Sequence, residues 1–168
     1  MGLSQISTTT VTSAVSSVVL TGIDSDVVIC TYHNLQGSVN DKYSQLRFTN
    51  SGTANSTSNY DWAAKKLKTY SSFQNQSGEN QTLIRLADEK LGDQFQETGQ
   101  GIITIFNATN SSEYTIMTIE NVNRDGGGNL MSSTGSFMLT EESVVDGVEF
   151  FIDSSNIVSG TFTLYRLT

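Results

Sequence analysis

Apolar and polar residues alternate at every second position over much of the chain. Leu46 and Phe48 fall on one face of a run whose other face carries Gln45, Arg47 and Thr49; Val148, Phe150 and Ile152 oppose Glu149 and Asp153 in the same way. This period of two is that of a half-buried β-strand. Residues 11–20 read as a first strand, with Ala14, Val18 and Leu20 on one face and Val11, Val15 and Val19 on the other. Residues 27–35 and 101–107 carry apolar side chains on both faces, as central strands do. Residues 113–122 form a hairpin with the second of these through a turn at 107–112.

Residues 81–87 supply a short strand with Leu83, Ile84 and Leu86, and residues 130–140 a further one in which Gly135 marks a bulge. At the end of the chain, Gly160 closes a Ser/Asn turn. A last strand then sets Phe162 and Leu164 on one face and Thr161, Thr163 and Tyr165 on the other, and is expected to pair inside a sheet.

Between these runs lie polar breaks. Gly22 and the Asp24-Ser25-Asp26 group form a turn. Residues 36–41, 50–59 and 71–80 are polar loops, and 124–129, with three consecutive glycines, is the sharpest break and reads as a flexible loop. Residues 88–100 have no clear period: they hold one helical turn before Gly92, or a loop returning Phe95 to the core.

Residues 60–70 fit two patterns. Helical spacing groups Ala63, Lys66, Leu67 and Tyr70; strand spacing groups Tyr60, Trp62, Ala64, Lys66 and Lys68. The aromatic content and the flanking loops favour the strand. Nine or ten short strands and no long helix predict an all-β fold, an antiparallel two-sheet β-sandwich of jelly-roll type. Residues 1–10, Ser/Thr-rich with Ile6 as their apolar anchor, read as an N-terminal extended arm ahead of a single domain over 11–168.

Composition narrows the functional classes. A chain of 168 residues can bury one core without a metal or disulfide. Proline is absent and only 36% of residues are apolar, which suits short strands around a thin core. A net charge of −8 disfavours nucleic acid and anionic membranes and directs attention to neutral or basic partner surfaces. No basic segment followed by an apolar core opens the chain and no run is long enough to cross a bilayer, so neither Sec-type export nor membrane insertion is expected. The single cysteine, Cys30, sits in the apolar run 27–30 and is expected to be a buried, inert thiol.

Enzyme chemistry finds no foothold. The single histidine, His33, shares the parity of Ile29 and Leu35 and reads as a core or interface residue. Cys30, three positions away on the same strand, points to the opposite face. Asp24 and Asp26 lack the ligand density of a calcium loop, and the glycines at 126–128 precede a strand, so they cannot cradle phosphate at a helix start. No catalytic residue, cofactor or metal ligand is expected. Five Asn-x-Ser/Thr triplets, at Asn55, Asn75, Asn80, Asn107 and Asn110, follow from composition. Lys65, Lys66 and Lys68, beside Trp62 and Tyr70, hold one third of the Lys and Arg residues and either bind an acidic neighbour or are simply solvated.

The terminal Ser159-Gly160-Thr161-Phe162-Thr163-Leu164-Tyr165-Arg166-Leu167 resembles virion structural proteins of marine, cyanophage-like bacteriophages, in which chains end in a Ser-Gly-Thr turn and a Leu-Tyr-Gly strand. The segments Leu20-Thr21-Gly22-Ile23-Asp24-Ser25, Leu46-Arg47-Phe48 and Asn59-Tyr60-Asp61-Trp62 are similar to the same group. Arg166 departs from the usual glycine. The resemblance implies a non-enzymatic virion component, a capsid decoration protein or a fibre or appendage subunit, whose partners are other virion proteins.

Such a subunit is expected to form homo-oligomers. Phe151 and Tyr165, outward on the faces opposite Phe150 and Leu164, would join Lys65, Lys66 and Lys68 as interface residues. The alternative is a carbohydrate-binding β-sandwich module that recognises a host-surface glycan through Tyr60, Trp62 and Tyr70.

Overall fold

The alternating stretches become strands, each burying one parity. In the computed structural model, which describes residues 2–168 (87–89 through the backbone alone), thirteen strands account for the regular structure. They are β1 (Leu3–Val11), β2 (Ser17–Thr21), β3 (Val27–Gly37), β4 (Lys42–Asn50), β5 (Thr53–Ala54), β6 (Tyr60–Lys68), β7 (Gln74–Gln81), β8 (Ile84–Leu91), β9 (Gly99–Phe106), β10 (Tyr114–Arg124), β11 (Leu130–Glu142), β12 (Gly147–Ile152) and β13 (Ile157–Leu167). Strand β10 shows the rule at its plainest, with exposed and buried positions alternating from Tyr114 to Asn123.

Every ladder among the named strands is antiparallel, and the strands form two sheets. One has the order β1-β13-β3-β9-β10-β11-β6-β7; the other has the order β2-β12-β4-β5, with β8 also paired to β4. The subsets β1-β13-β3-β9 and β2-β12-β4-β8 are the two four-stranded sheets of a jelly roll. The hairpins β6-β7 and β10-β11 are inserted between jelly-roll strands and widen the first sheet to eight. As anticipated, β13 lies inside a sheet, between β1 and β3.

The core fills the space between the sheets. Phe150 packs against Tyr32 and Phe162, with ring centroids 5.7 and 4.9 Å apart, and Val28, Leu46, Phe48, Ile103, Ile105, Met117 and Leu164 are fully buried around this cluster. Cys30 is buried among them, and loss of solvation pushes its thiol pKa far above the ordinary range. Native protein is therefore expected to react with a thiol reagent only as fast as it unfolds; prompt stoichiometric labelling would contradict the packing.

Several expectations are revised. The N-terminal stretch is not a separate arm: β1 is an edge strand bonded to β13, and Gly2 and Thr168 exchange backbone hydrogen bonds of 2.7 and 2.9 Å. Met1, the first residue of that stretch, lies outside the described residues. Residues 11–20 are not one strand, because β1 ends at Val11 and β2 begins at Ser17, in the opposite sheet. Gly160 is not a turn but lies within β13 at a register shift, with φ +147°, a conformation glycine adopts without strain. No register shift falls at Gly135; a Cβ there would come within 2.7 Å of Ala64 Cβ.

The polar loop read over 71–80 is mostly strand β7, and β8 extends to Leu91. Phe95 does not return to the core and is 89% exposed. The triple-glycine segment is a closed hairpin turn: Asp125 accepts from the amides of Gly127 and Asn129 at 3.0 and 2.8 Å, while Arg124 Nε and Nη2 donate to Gly128 O at 3.1 and 3.0 Å.

Candidate functional site

The second sheet covers the inner face of the eight-stranded sheet, and no strand among the described residues is layered over its outer face. The outward parity of β6, β9, β10 and β11 therefore meets solvent. Cross-strand register builds this face in rows. Lys65, Thr134, Glu120 and Ile102 form one; Ala63, Ser136, Thr118 and Thr104 form the next; Leu67, Ser132, Val122 and Gln100 flank the first on its other side. Small hydroxyl side chains line β11, the middle strand, while larger ones rise on β6, β10 and β9.

The result is an open trough of about 960 Å³ whose walls include Lys65, Glu120 and Ile102. It adjoins a second depression of about 500 Å³ reaching Thr31 and His33. Apolar side chains are spread across the face: Ile102 is 54% exposed, Leu130 52% and Val122 39%, and Phe106 and Ile116 are exposed as well. No aromatic side chain lines the main trough.

The structure separates the residues singled out from the sequence. Lys65 lies on the outer face, its Nζ 5.9 Å from the centroid of Phe73. Lys66 has the opposite parity and is only 7% exposed, and Lys68, on that inward parity too, has its Nζ 5.6 Å from the Tyr70 ring. The three lysines do not form one patch, because a strand sends neighbours to opposite faces. Tyr165 is half-buried on the outer face of the eight-stranded sheet, between Ile29 and Gln5. Phe151 lies on the outer face of the other sheet, half-buried under Arg47, whose guanidinium is 4.6 Å from its centroid. Tyr165 and Phe151 thus belong to opposite sides of the sandwich.

The three aromatics assigned to glycan contact do not share a site. Tyr60 is fully buried; its hydroxyl accepts from Phe48 N at 3.1 Å and donates to Asn55 O at 3.0 Å, and burial pushes its pKa up to about 12. It is a core residue, with no surface open to a ligand. Tyr70 is exposed beyond the far end of β6, about 30 Å away at strand rise. Trp62, stacked on Phe137 with centroids 6.1 Å apart, borders a cleft of about 200 Å³ with Gln76, Ser77, Gln81 and Arg85.

Two of the acidic groups singled out from the sequence are engaged structurally, and the histidine is not in the core. His33 is exposed: it keeps the parity of Ile29, opposite buried Cys30 and Tyr32, and a register shift next to Asn34, whose φ is +54°, turns Leu35 to the buried side. Asp24 accepts from Arg166, and Asp26 from Thr109. Among the described residues, no three His, Cys, Asp or Glu side chains are grouped as a metal centre would require.

Glu141 anchors the 50–59 loop. Its Oε2 accepts from Asn55 and Asn59 at 3.0 and 3.1 Å, and these bonds, with that from Thr57, hold its carboxyl below the usual glutamate range. A depressed pKa stabilises the folded loop above the unfolded-state pKa, and that contribution is lost as pH falls through the folded-state value. The Asn55 and Asn59 side-chain amide resonances are therefore expected to titrate together, with a midpoint below the ordinary 4.5; a midpoint at or above it would contradict this arrangement.

Sequence reasoning missed a buried polar hub beneath the eight-stranded sheet. Asn121 Oδ1 accepts from Ser133 N and Oγ, both at 3.0 Å; its Nδ2 donates to Leu86 O, and it also bonds the Tyr32 side chain. Its signal was the polar inward parity of Asn121, Asn123, Ser133 and Lys66, which stands out only once β8 is known to cross over it. The comparisons do not extend this picture: no protein family, curated protein or solved structure matches the chain.

Proposed function

We propose that the protein is a non-enzymatic structural subunit of a bacteriophage virion, a capsid decoration protein or a fibre or appendage subunit, that assembles through protein–protein contacts. The observation that carries this reading is the outer face of the eight-stranded sheet: broad, free of aromatic stacking platforms in its trough, and set with exposed Ile102, Val122 and Leu130. Exposed apolar area of this kind supports the reading of the face as an assembly surface. The phage-like terminal segment and the jelly-roll strand order support the same reading. Mass spectrometry of separated heads and tails from purified particles tests it, with the protein expected at a fixed stoichiometric copy number in one fraction; its absence from both would overturn the proposal.

A second reading, binding of a host-surface glycan, is favoured by the Trp62 cleft, where an indole adjoins the side-chain amides of Gln76 and Gln81. A glycan array on the isolated protein tests it. Binding that survives Trp62→Ala rules the cleft out.

A further inference from the structure

We infer that the occupant of the outer sheet face is a second copy of the same chain, related by a twofold axis that runs along β11 in the plane between the two facing sheets. The inference takes from the proposed function only that this face is an assembly surface. Rotation about such an axis exchanges the strands on either side of β11, so β6 of one copy faces β10 of the other. The register then places Lys65 opposite the partner copy's Glu120 and Leu67 opposite its Val122, each twice per dimer. An isologous interface requires this self-complementarity, and neither an acidic nor a basic foreign surface would satisfy both charges.

The shape of the face agrees with the charges. Ser132, Thr134 and Ser136 on the axial strand are small, so the larger side chains of β6 and β10 can interdigitate across the two copies, with the sheets about 10 Å apart. Strands β7, β6, β11, β10 and β9 would overlap. At about 4.8 Å between strands and about 3.4 Å per residue over roughly nine residues, they present about 700 Å² per copy. A stable interface needs about 800 Å² per partner, so the face is of the right size for a dimer.

Analytical ultracentrifugation of the full chain, from low micromolar to near-millimolar concentration, is the test. The wild type is expected to show a concentration-dependent dimer. Lys65→Glu and Glu120→Lys are each expected to weaken it about tenfold or more, because each turns two attractive pairs into like-charge pairs. The double variant restores the pairs with inverted sign and is expected to recover most of the affinity. Both positions are exposed, so far-UV circular dichroism, and the melting temperature at concentrations where the wild type is monomeric, should stay unchanged, and Val19→Glu on the outer face of the other sheet should leave the dimer intact. A chain that stays monomeric throughout, single variants without effect, or a double variant no better than the singles would overturn the inference. A dimer formed by a protein absent from phage particles would leave this inference standing and refute the virion assignment alone.

Discussion

Phe150→Ala is expected to destabilise the protein by about 3–5 kcal/mol, the range for removing a buried aromatic ring and leaving a cavity. Phe150 is fully buried on β12 and joins the sheets, because its ring contacts Tyr32 of β3 and Phe162 of β13 across the core. The lost transfer energy adds to dispersion contacts that both neighbours forfeit, and strands paired on both sides cannot easily collapse into the void. For a chain of this length, each kcal/mol lowers the melting temperature by about 2–4 °C, so a fall of roughly 10 °C is expected. Urea titration checks the free energy. A loss below about 1 kcal/mol would mean that the cluster does not hold the layers together.

Gly147→Ala should have a comparable effect for a different reason. Gly147 begins β12 between β2 and β4, opposite Thr21 on one side and Thr49 on the other. A Cβ there would sit 2.2 Å from Leu20 O and 2.7 Å from Thr49 Oγ1, and the first of these is backbone, which cannot swing aside. Relief requires β2 to move. That would disturb Asp146, whose carboxylate accepts from Thr49 Oγ1 and Gly52 N at 2.7 and 2.8 Å and whose carbonyl accepts from the amides of Gly22 and Ile23. Overpacking of this severity costs about 3 kcal/mol. Gly52→Ala separates sterics from backbone preference: it has open space around it but a φ of +73°, so it should cost only about 1 kcal/mol. Equal losses at the two glycines would refute the steric account.

The sandwich was readable wherever one strand face meets the core and the other meets water. Leu46 and Phe48, or Val148, Phe150 and Ile152, announce both their strand and its buried side, and all of them are in the core. Strand β7, Gln-Asn-Gln-Ser-Gly-Glu-Asn-Gln, announces nothing: as an edge strand exposed along most of its length, it carries no hydrophobic alternation for a reader to find. Leu35 was a false guide to His33 because one residue of positive φ resets the alternation between them, and short-range pattern does not reveal a bulge.

The candidate surface was legible only in fragments. That Lys65 and Lys66 point to opposite faces follows from strand geometry alone. Which face lies open depends on long-range layering, since the inward side becomes buried only when β8, from elsewhere in the chain, crosses over it. The pairing of Lys65 with Glu120 in a single row is likewise a matter of register between strands distant in sequence. Tyr60 illustrates the same limit: aromatic side chains near a polar loop suggest a platform for sugars, yet its hydroxyl is occupied in holding that loop to the sandwich.

The pairing of Gly2 with Thr168 at one end of the β1–β13 ladder bears on how the molecule would carry tension. Because β1 and β13 are antiparallel and Gly2 adjoins Thr168, a load drawn between the ends would peel the strands apart one rung at a time, starting at the terminal pair. Unzipping breaks hydrogen bonds in succession, whereas shearing would load them all together, so the molecule should yield at low force when pulled from its ends. A fold of this design can transmit strain through its sheet faces or loops far better than through Gly2 and Thr168.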